Sequence, residues 1–183
     1  MKDTLTKIKN WLIWFFKSFI WITPLAIIVD QVTKLVFDAV LGPYTQTGKQ
    51  ISIFSEKFIN IRVTYNLGAA WSILREHHWL LALISVVASI AITVYLVLQY
   101  KKLGLWERIC GFLILGGCMG NMIDRVFYPK GVIDFISTGF MDFPTFNIAD
   151  SCLCVGIFAL FIKFIIDEFK GKNKNEEKPQ DSK

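Results

Sequence analysis

A helical membrane protein with four transmembrane helices and a small extracytoplasmic β-rich cradle is the fold class predicted by the sequence. Three observations predict it. The 183-residue chain is 54% hydrophobic and only 19% charged, with a mean hydropathy of +0.47, where a soluble domain carries about 25% charged residues. Its apolar residues gather in runs long enough to cross a bilayer. Its basic residues gather in three places: Lys2, Lys7, Lys9 and Lys17; Lys101, Lys102 and Arg108; and six lysines from Lys163 to the end, together 13 of the 20 Lys and Arg.

The segments follow in order. Residues 1–18 form a basic lead, and with the apolar run behind it this region has the look of a signal sequence. No A-x-A site follows and the run ends on an acid, so it is expected to stay as an anchor. Residues 19–169 form one membrane domain. Its first span runs from about Phe19 to Phe37 and is interrupted by Pro24, Asp30 and Lys34. The second, from about Trp79 to Leu98, carries no charge. The third, from about Ile109 to Ile123, is short and rich in small residues. The fourth runs from about Asn147 to Phe169, and its Lys163 can reach back to the interface. Basic residues mark cytoplasmic segments, so both termini are expected inside and the loops 38–78 and 124–146 outside. In the longer loop, FINIRVTYN alternates apolar and polar residues, which predicts strands at the membrane surface. NLGAAWS follows, where Gly68 permits close backbone approach. The tail 170–183 is polar and expected to be disordered.

The charge of +5 sits where anionic lipid would meet it, and its placement excludes a nucleic-acid surface. Cys110, Cys118, Cys152 and Cys154 all fall inside spans, away from the oxidising loops that disulfides need. They read as packing thiols.

The polar residues cluster at one depth, at the outer ends of the first, third and fourth spans. Asp30 and Lys34 are four apart and share a helix face; they read equally as an ion pair holding a helix end. Asn121, Asp124 and Arg125 close the third span, and Asn147 and Asp150 open the fourth, where Asn147 also suits a helix cap. Arg125 could pair with interfacial lipid. Asp142 reads as a solvated loop acid. The adjacent His77 and His78 are poorly spaced for one metal and fit the interface. Asp134 and Asp150 are harder to explain as structure. Each is embedded in apolar residues, VIDFI and FNIADSCL, without a base at helical spacing beside Asp150. Acids in such settings mark function. Two carboxylates brought together share one proton, and such a pair can activate water. No G-x-S-x-G and no H-E-x-x-H is present.

These residues lie in five blocks: DQVTK at 30–34, NLGAAWS at 66–72, GGCMGNMIDR at 116–125, GVIDF at 131–135 and FNIADSCLCVG at 146–156. In identity, order and separation they resemble bacterial lipoprotein signal peptidase, also called signal peptidase II. Trp71 and Cys118 depart from the residues that family often has, Phe and Ala. The resemblance implies a four-helix aspartyl endopeptidase of the bacterial cytoplasmic membrane, without metal or organic cofactor, monomeric, with its site toward the extracytoplasmic side. It implies prolipoprotein substrates, cut just before a cysteine that carries a diacylglyceryl group. By motif, Asp134 and Asp150 would be the catalytic pair, and Asp30, Lys34, Asn66, Gly68, Gly117, Asn121, Arg125 and Asn147 would support the site or the substrate. Asp124 would be structural.

Two other readings stay open on residues alone. A small proton-coupled transporter would spread its acids across the membrane depth and show repeated halves, which this sequence does not. A non-catalytic assembly subunit would have no use for Asp134 and Asp150.

Overall fold

A computed structural model of the chain describes residues 2–68 and 77–176. In chain order these form α1 (Lys2–Ser18), α2 (Ile22–Leu41), a one-turn α3 (Tyr44–Thr47), β1 (Ile51–Ile53), β2 (Ile59–Asn66), α4 (His78–Gln99), α5 (Leu105–Phe127), β3 (Val132–Thr138) and α6 (Ile148–Glu176). Among the described residues α4, α5 and α6 are each long and apolar enough to cross a membrane; α1 and α2 together make a fourth candidate, bent by 71° between them.

The first predicted span therefore differs from the expectation. It corresponds to α2, which starts at Ile22, and the basic lead before it is itself a helix that turns sharply away from α2. Leu5, Ile8, Leu12, Phe15 and Phe16 recur at helical spacing down one side of α1, with Lys7, Asn10 and Lys17 on the other. Pro24 sits in the first turn of α2, where a missing N–H costs nothing. The tail also differs: α6 continues to Glu176, so residues 170–176 are helical.

α5 is the hub of the bundle and packs on α2, α4 and α6. Its small residues make that possible. A Cβ on Gly116 would run into Ala26, one on Gly120 into Asp30 and Ala149, and one on Gly117 into the Ala149 carbonyl. Lipid supplies no hydrophobic drive between helices, so such close contact is what holds them.

The sheet is antiparallel in the order β1–β2–β3. β1 and β2 answer to the predicted strands of the long loop. β3 comes from the segment between α5 and α6 and was not foreseen. Thr64 lies opposite Asp134 and Asn66 opposite Val132, with a bulge between Ile61 and Thr64. Ile133 and Phe135 pack with Val63 and Leu41, and Phe37 of α2 meets Phe135 at 4.9 Å between ring centroids. This core fastens the sheet to the C-terminal end of α2. Alternation then turns Asp134 to the opposite face.

Candidate active site

β3 and the first turn of α6 place the two candidate carboxylates. Asn147 caps α6: its Oδ1 accepts the Asp150 N–H at 2.9 Å, and its own N–H donates to Asp150 Oδ2 at 3.2 Å. This reciprocal cap gives Asp150 a fixed rotamer. Asp134 receives Asn147 Nδ2 on Oδ1 at 2.7 Å and Asn66 Nδ2 on Oδ2 at 3.0 Å. Asn66 in turn accepts the Gly68 N–H at 2.9 Å, so the end of β2 closes into a tight turn beside the acid.

Behind the pair lies a buried ion cluster. Lys34 Nζ meets Asp30 Oδ2 at 2.7 Å, Asp124 Oδ2 at 2.8 Å and Asn121 Oδ1 at 3.1 Å. An ammonium has three donors, and all three are used. Asp30 also accepts the Ala149 N–H at 2.8 Å, at the positive end of α6. Asp124 accepts Gln31 Nε2 at 2.8 Å and the Ile133 N–H at 3.3 Å. Asp30, Lys34 and Asp124 are at most 1% exposed. The pairing of Asp30 with Lys34 is thus more than an intrahelical contact: it includes Asp124, 90 residues further on.

The cluster orients the site by elimination. Lysine only donates, so Asn121 must turn its oxygen to Lys34 and its Nδ2 outward, where it meets Asp150 Oδ1 at 2.7 Å. Asn147 must keep its oxygen for the α6 cap, so its Nδ2 faces Asp134 and also Asn121 Oδ1 at 3.0 Å. Every oxygen of both carboxylates then has one amide donor. Burial raises the Asp134 pKa to about 7, with the charge of Asp150 adding to the rise and the Asn66 hydrogen bond opposing it. Asp134 is 3% exposed and Asp150 only half-buried. One acid inclined to keep its proton beside another more open to water is a suitable arrangement for acid–base work.

The two acids line a cavity of about 480 Å³. Asn66 and Arg125 add polar groups, while Val132, Phe146 and Val155 make apolar walls. Arg125 donates to Ser85 Oγ of α4 at 3.3 Å, a protein partner in addition to the interfacial lipid expected from the sequence. Gly117 supports from behind, through the α5–α6 contact. Asp142 is exposed in the loop after β3 and lies outside this group. Ala69–Ser72 of the NLGAAWS block lie outside the described residues. Among the described residues no three His, Cys, Asp or Glu side chains are grouped to hold a metal ion. Gln31 and Ser85 were missed in the sequence; Gln31 stood inside a recognised block, whereas Ser85 carried no signal in its apolar span.

A membrane bundle that presents two amide-held aspartates to an open cavity fits the class of membrane aspartic peptidases. Comparison with known proteins agrees. The signal peptidase (SPase) II family profile matches residues 22–166. The lipoprotein signal peptidase of Geobacillus kaustophilus is 39% identical over 150 residues, covering 79% of this chain and 91% of that protein. The one from Pseudomonas aeruginosa is 37% identical over 164 residues, covering 86% and 90%. A solved structure described as a bacterial membrane enzyme superposes with a TM-score of 0.72 at 32% identity, covering 90% of this chain and 94% of the other. The chain belongs to the signal peptidase II family, and it is an aspartic endopeptidase of the membrane. Neither the transporter nor the assembly-subunit reading finds support.

Proposed function

We propose that this peptidase cuts prolipoproteins immediately before a diacylglyceryl-modified cysteine, with Asp134 and Asp150 as its catalytic pair. The observation that carries the proposal is the pairing itself: two carboxylates, each held at both oxygens by amide donors, open on one cavity. Asp150, ionised, takes a proton from water as the oxygen attacks the carbonyl carbon before the cysteine. Asp134, protonated, donates to that carbonyl oxygen. The tetrahedral intermediate collapses as the Asp150 proton passes to the departing amine and the oxygen returns its proton to Asp134. Both carboxyls end as they began. The apolar walls and exposed Val155 suit the acyl chains of the substrate, and Arg125 and the Asn66–Gly68 turn suit its backbone. No cofactor enters this scheme.

The same reading places the site on the extracytoplasmic side and both termini in the cytoplasm, from the basic residues at the opposite end of the bundle. It treats the protein as a monomer with lipid around it.

Asn matches Asp in shape but carries no transferable carboxyl proton. Asp134→Asn and Asp150→Asn should each reduce conversion of a diacylglyceryl-modified prolipoprotein by about 10²–10⁴-fold, the usual range for acid–base groups. The double variant should be little worse than either, since the two act as a unit. Asp142→Asn should cleave normally. Near-normal conversion by either single variant of the pair, followed on a gel, would show that other acids do the work.

A further inference from the structure

A second apolar concavity, of about 430 Å³, lies at the end of the bundle away from the candidate site. Trp14 of α1, Ile20 between α1 and α2, Pro24 at the start of α2, Leu96 and Val97 near the end of α4, and Phe112 near the start of α5 line it. Thr23, Thr93 and Tyr100 also face it, but their hydroxyls are committed to backbone carbonyls: Thr23 to Phe112 at 2.8 Å, Thr93 to Ser89 at 2.7 Å, Tyr100 to Ser18 at 3.2 Å. These hydroxyls already have partners, so the groove offers a ligand mostly carbon.

The groove exists because α1 turns away from α2, and that turn is built in. Phe19 holds a φ of +61°, a costly conformation for a bulky residue that persists only where its surroundings impose it. Here they do. Ser18, 2% exposed, donates to the Phe15 carbonyl at 2.6 Å; Trp21 Nε1 donates to the Phe16 carbonyl at 3.2 Å; and Tyr100 ties the elbow to the end of α4. The family profile begins at Ile22, after α1 and its elbow.

Charge surrounds this carbon-lined groove. The Arg108 guanidinium stacks over the ring of Tyr100 at 4.4 Å from its centroid. Lys17, Lys101 and Lys102 are exposed on the two adjoining segments. We infer that the groove between α1 and the bundle seats one acyl chain of an anionic phospholipid, with the phosphate beside Arg108. An alkyl chain needs no hydrogen bonds, and a phosphodiester needs a cation at its edge. The amphipathic α1, with exposed Leu5, Trp11 and Phe16, would then lie in the same leaflet as an interfacial helix. This inference is independent of which acids cut the substrate.

The experiment uses the full chain in phosphatidylcholine vesicles and follows tryptophan quenching by phospholipids brominated on their acyl chains. The difference between wild type and Trp14→Phe isolates the Trp14 signal. Brominated phosphatidylglycerol should half-quench that signal at roughly fivefold lower mole fraction than brominated phosphatidylcholine, the preference one basic residue near an anionic headgroup supplies. Salt near 1 M should weaken the preference by screening. Arg108→Gln should bring the two lipids within about twofold of each other, Arg108→Lys should keep most of the difference, and Val97→Phe, which fills the groove, should lower quenching by both. Substrate cleavage by these variants should stay normal and so report folding. Equal quenching by the two lipids in wild type would mean bulk lipid merely bathes the groove and would overturn the inference. So would a preference that survives Arg108→Gln, or quenching that Val97→Phe leaves untouched.

Discussion

Replacing Lys34 with Met tests the buried cluster most directly. The change keeps the length of the side chain and removes its charge. Two carboxylates, Asp30 and Asp124, are then left facing each other with no cation, at 0% and 1% exposure. Each contact of Lys34, at 2.7 and 2.8 Å, amounts to about 6 kcal/mol of attraction at an effective dielectric of about 20. Desolvation of the three ions, several kcal/mol each, cancels most of that sum. What remains on breaking such a cluster is about 3–5 kcal/mol of destabilisation, because the charges left behind stay buried. For a chain of this size that is a fall of roughly 10 °C in melting temperature. Thermal unfolding in detergent by circular dichroism reads it. The double variant Lys34→Met/Asp124→Asn should recover part of the loss, since one uncompensated charge is gone. Asn121 would lose the contact that orients it, so cleavage should stay impaired even where stability returns. An unchanged melting temperature in Lys34→Met, or a double variant no more stable than the single, would refute the electrostatic account.

The remaining predictions address the site and the topology. A proton held by Asp134 with a pKa of about 7 should give kcat/KM an alkaline limb near pH 7, as the acid form is lost above it. Asn66→Ala removes a hydrogen bond that holds this pKa down, so the limb should move to higher pH; a limb that stays put or falls would break the link to Asp134. Gly117→Ala forces a methyl against the Ala149 carbonyl and should lower both melting temperature and cleavage by parting α5 from α6; wild-type behaviour would show that contact to be slack. In a background with the four native cysteines replaced, Lys49→Cys and Lys174→Cys should be labelled by an impermeant thiol reagent from opposite sides of the membrane. Labelling of both from one side would overturn the four-span topology.

Much of this was legible in the sequence, and the gaps have physical causes. The four spans were visible as apolar runs, and the third was read short because Glu107 and Arg108 at its start and Asp124 and Arg125 at its end look like boundaries. In the helix all four lie within α5. β3 was hidden because Val132–Phe135 are buried without alternation, and a strand buried on both faces has no period of two to read. The candidate acids stood out as charges in apolar company. Their wiring did not. Spacing reveals that Asp30 and Lys34 share a face, but the third member, Asp124, arrives from another helix. Asn121 and Asn147 could be placed near the site by motif, while the direction of each amide depends on which neighbour can only donate. The separate helix α1 was not legible, because residues 1–18 read as the basic lead of a signal-like anchor, and its angle to α2 rests on the Phe19 elbow, which composition does not disclose.

The pairing of β2 with β3 sets an order on how the protein comes into being. Residues 59–66 reach their partners in β3 only when residues 132–138 have been made, after two whole membrane helices, α4 and α5, have been synthesised between them. Asn147, Ala149 and Asp150 come later still. Asn66 gains Asp134 with β3, but until the ribosome has delivered the last helix Asp30 lacks the Ala149 N–H and Asp134 lacks Asn147. With Asp134 and Asp150 as the proposed catalytic pair, the nascent chain is inert as a peptidase through most of its own insertion, and competence arrives with α6.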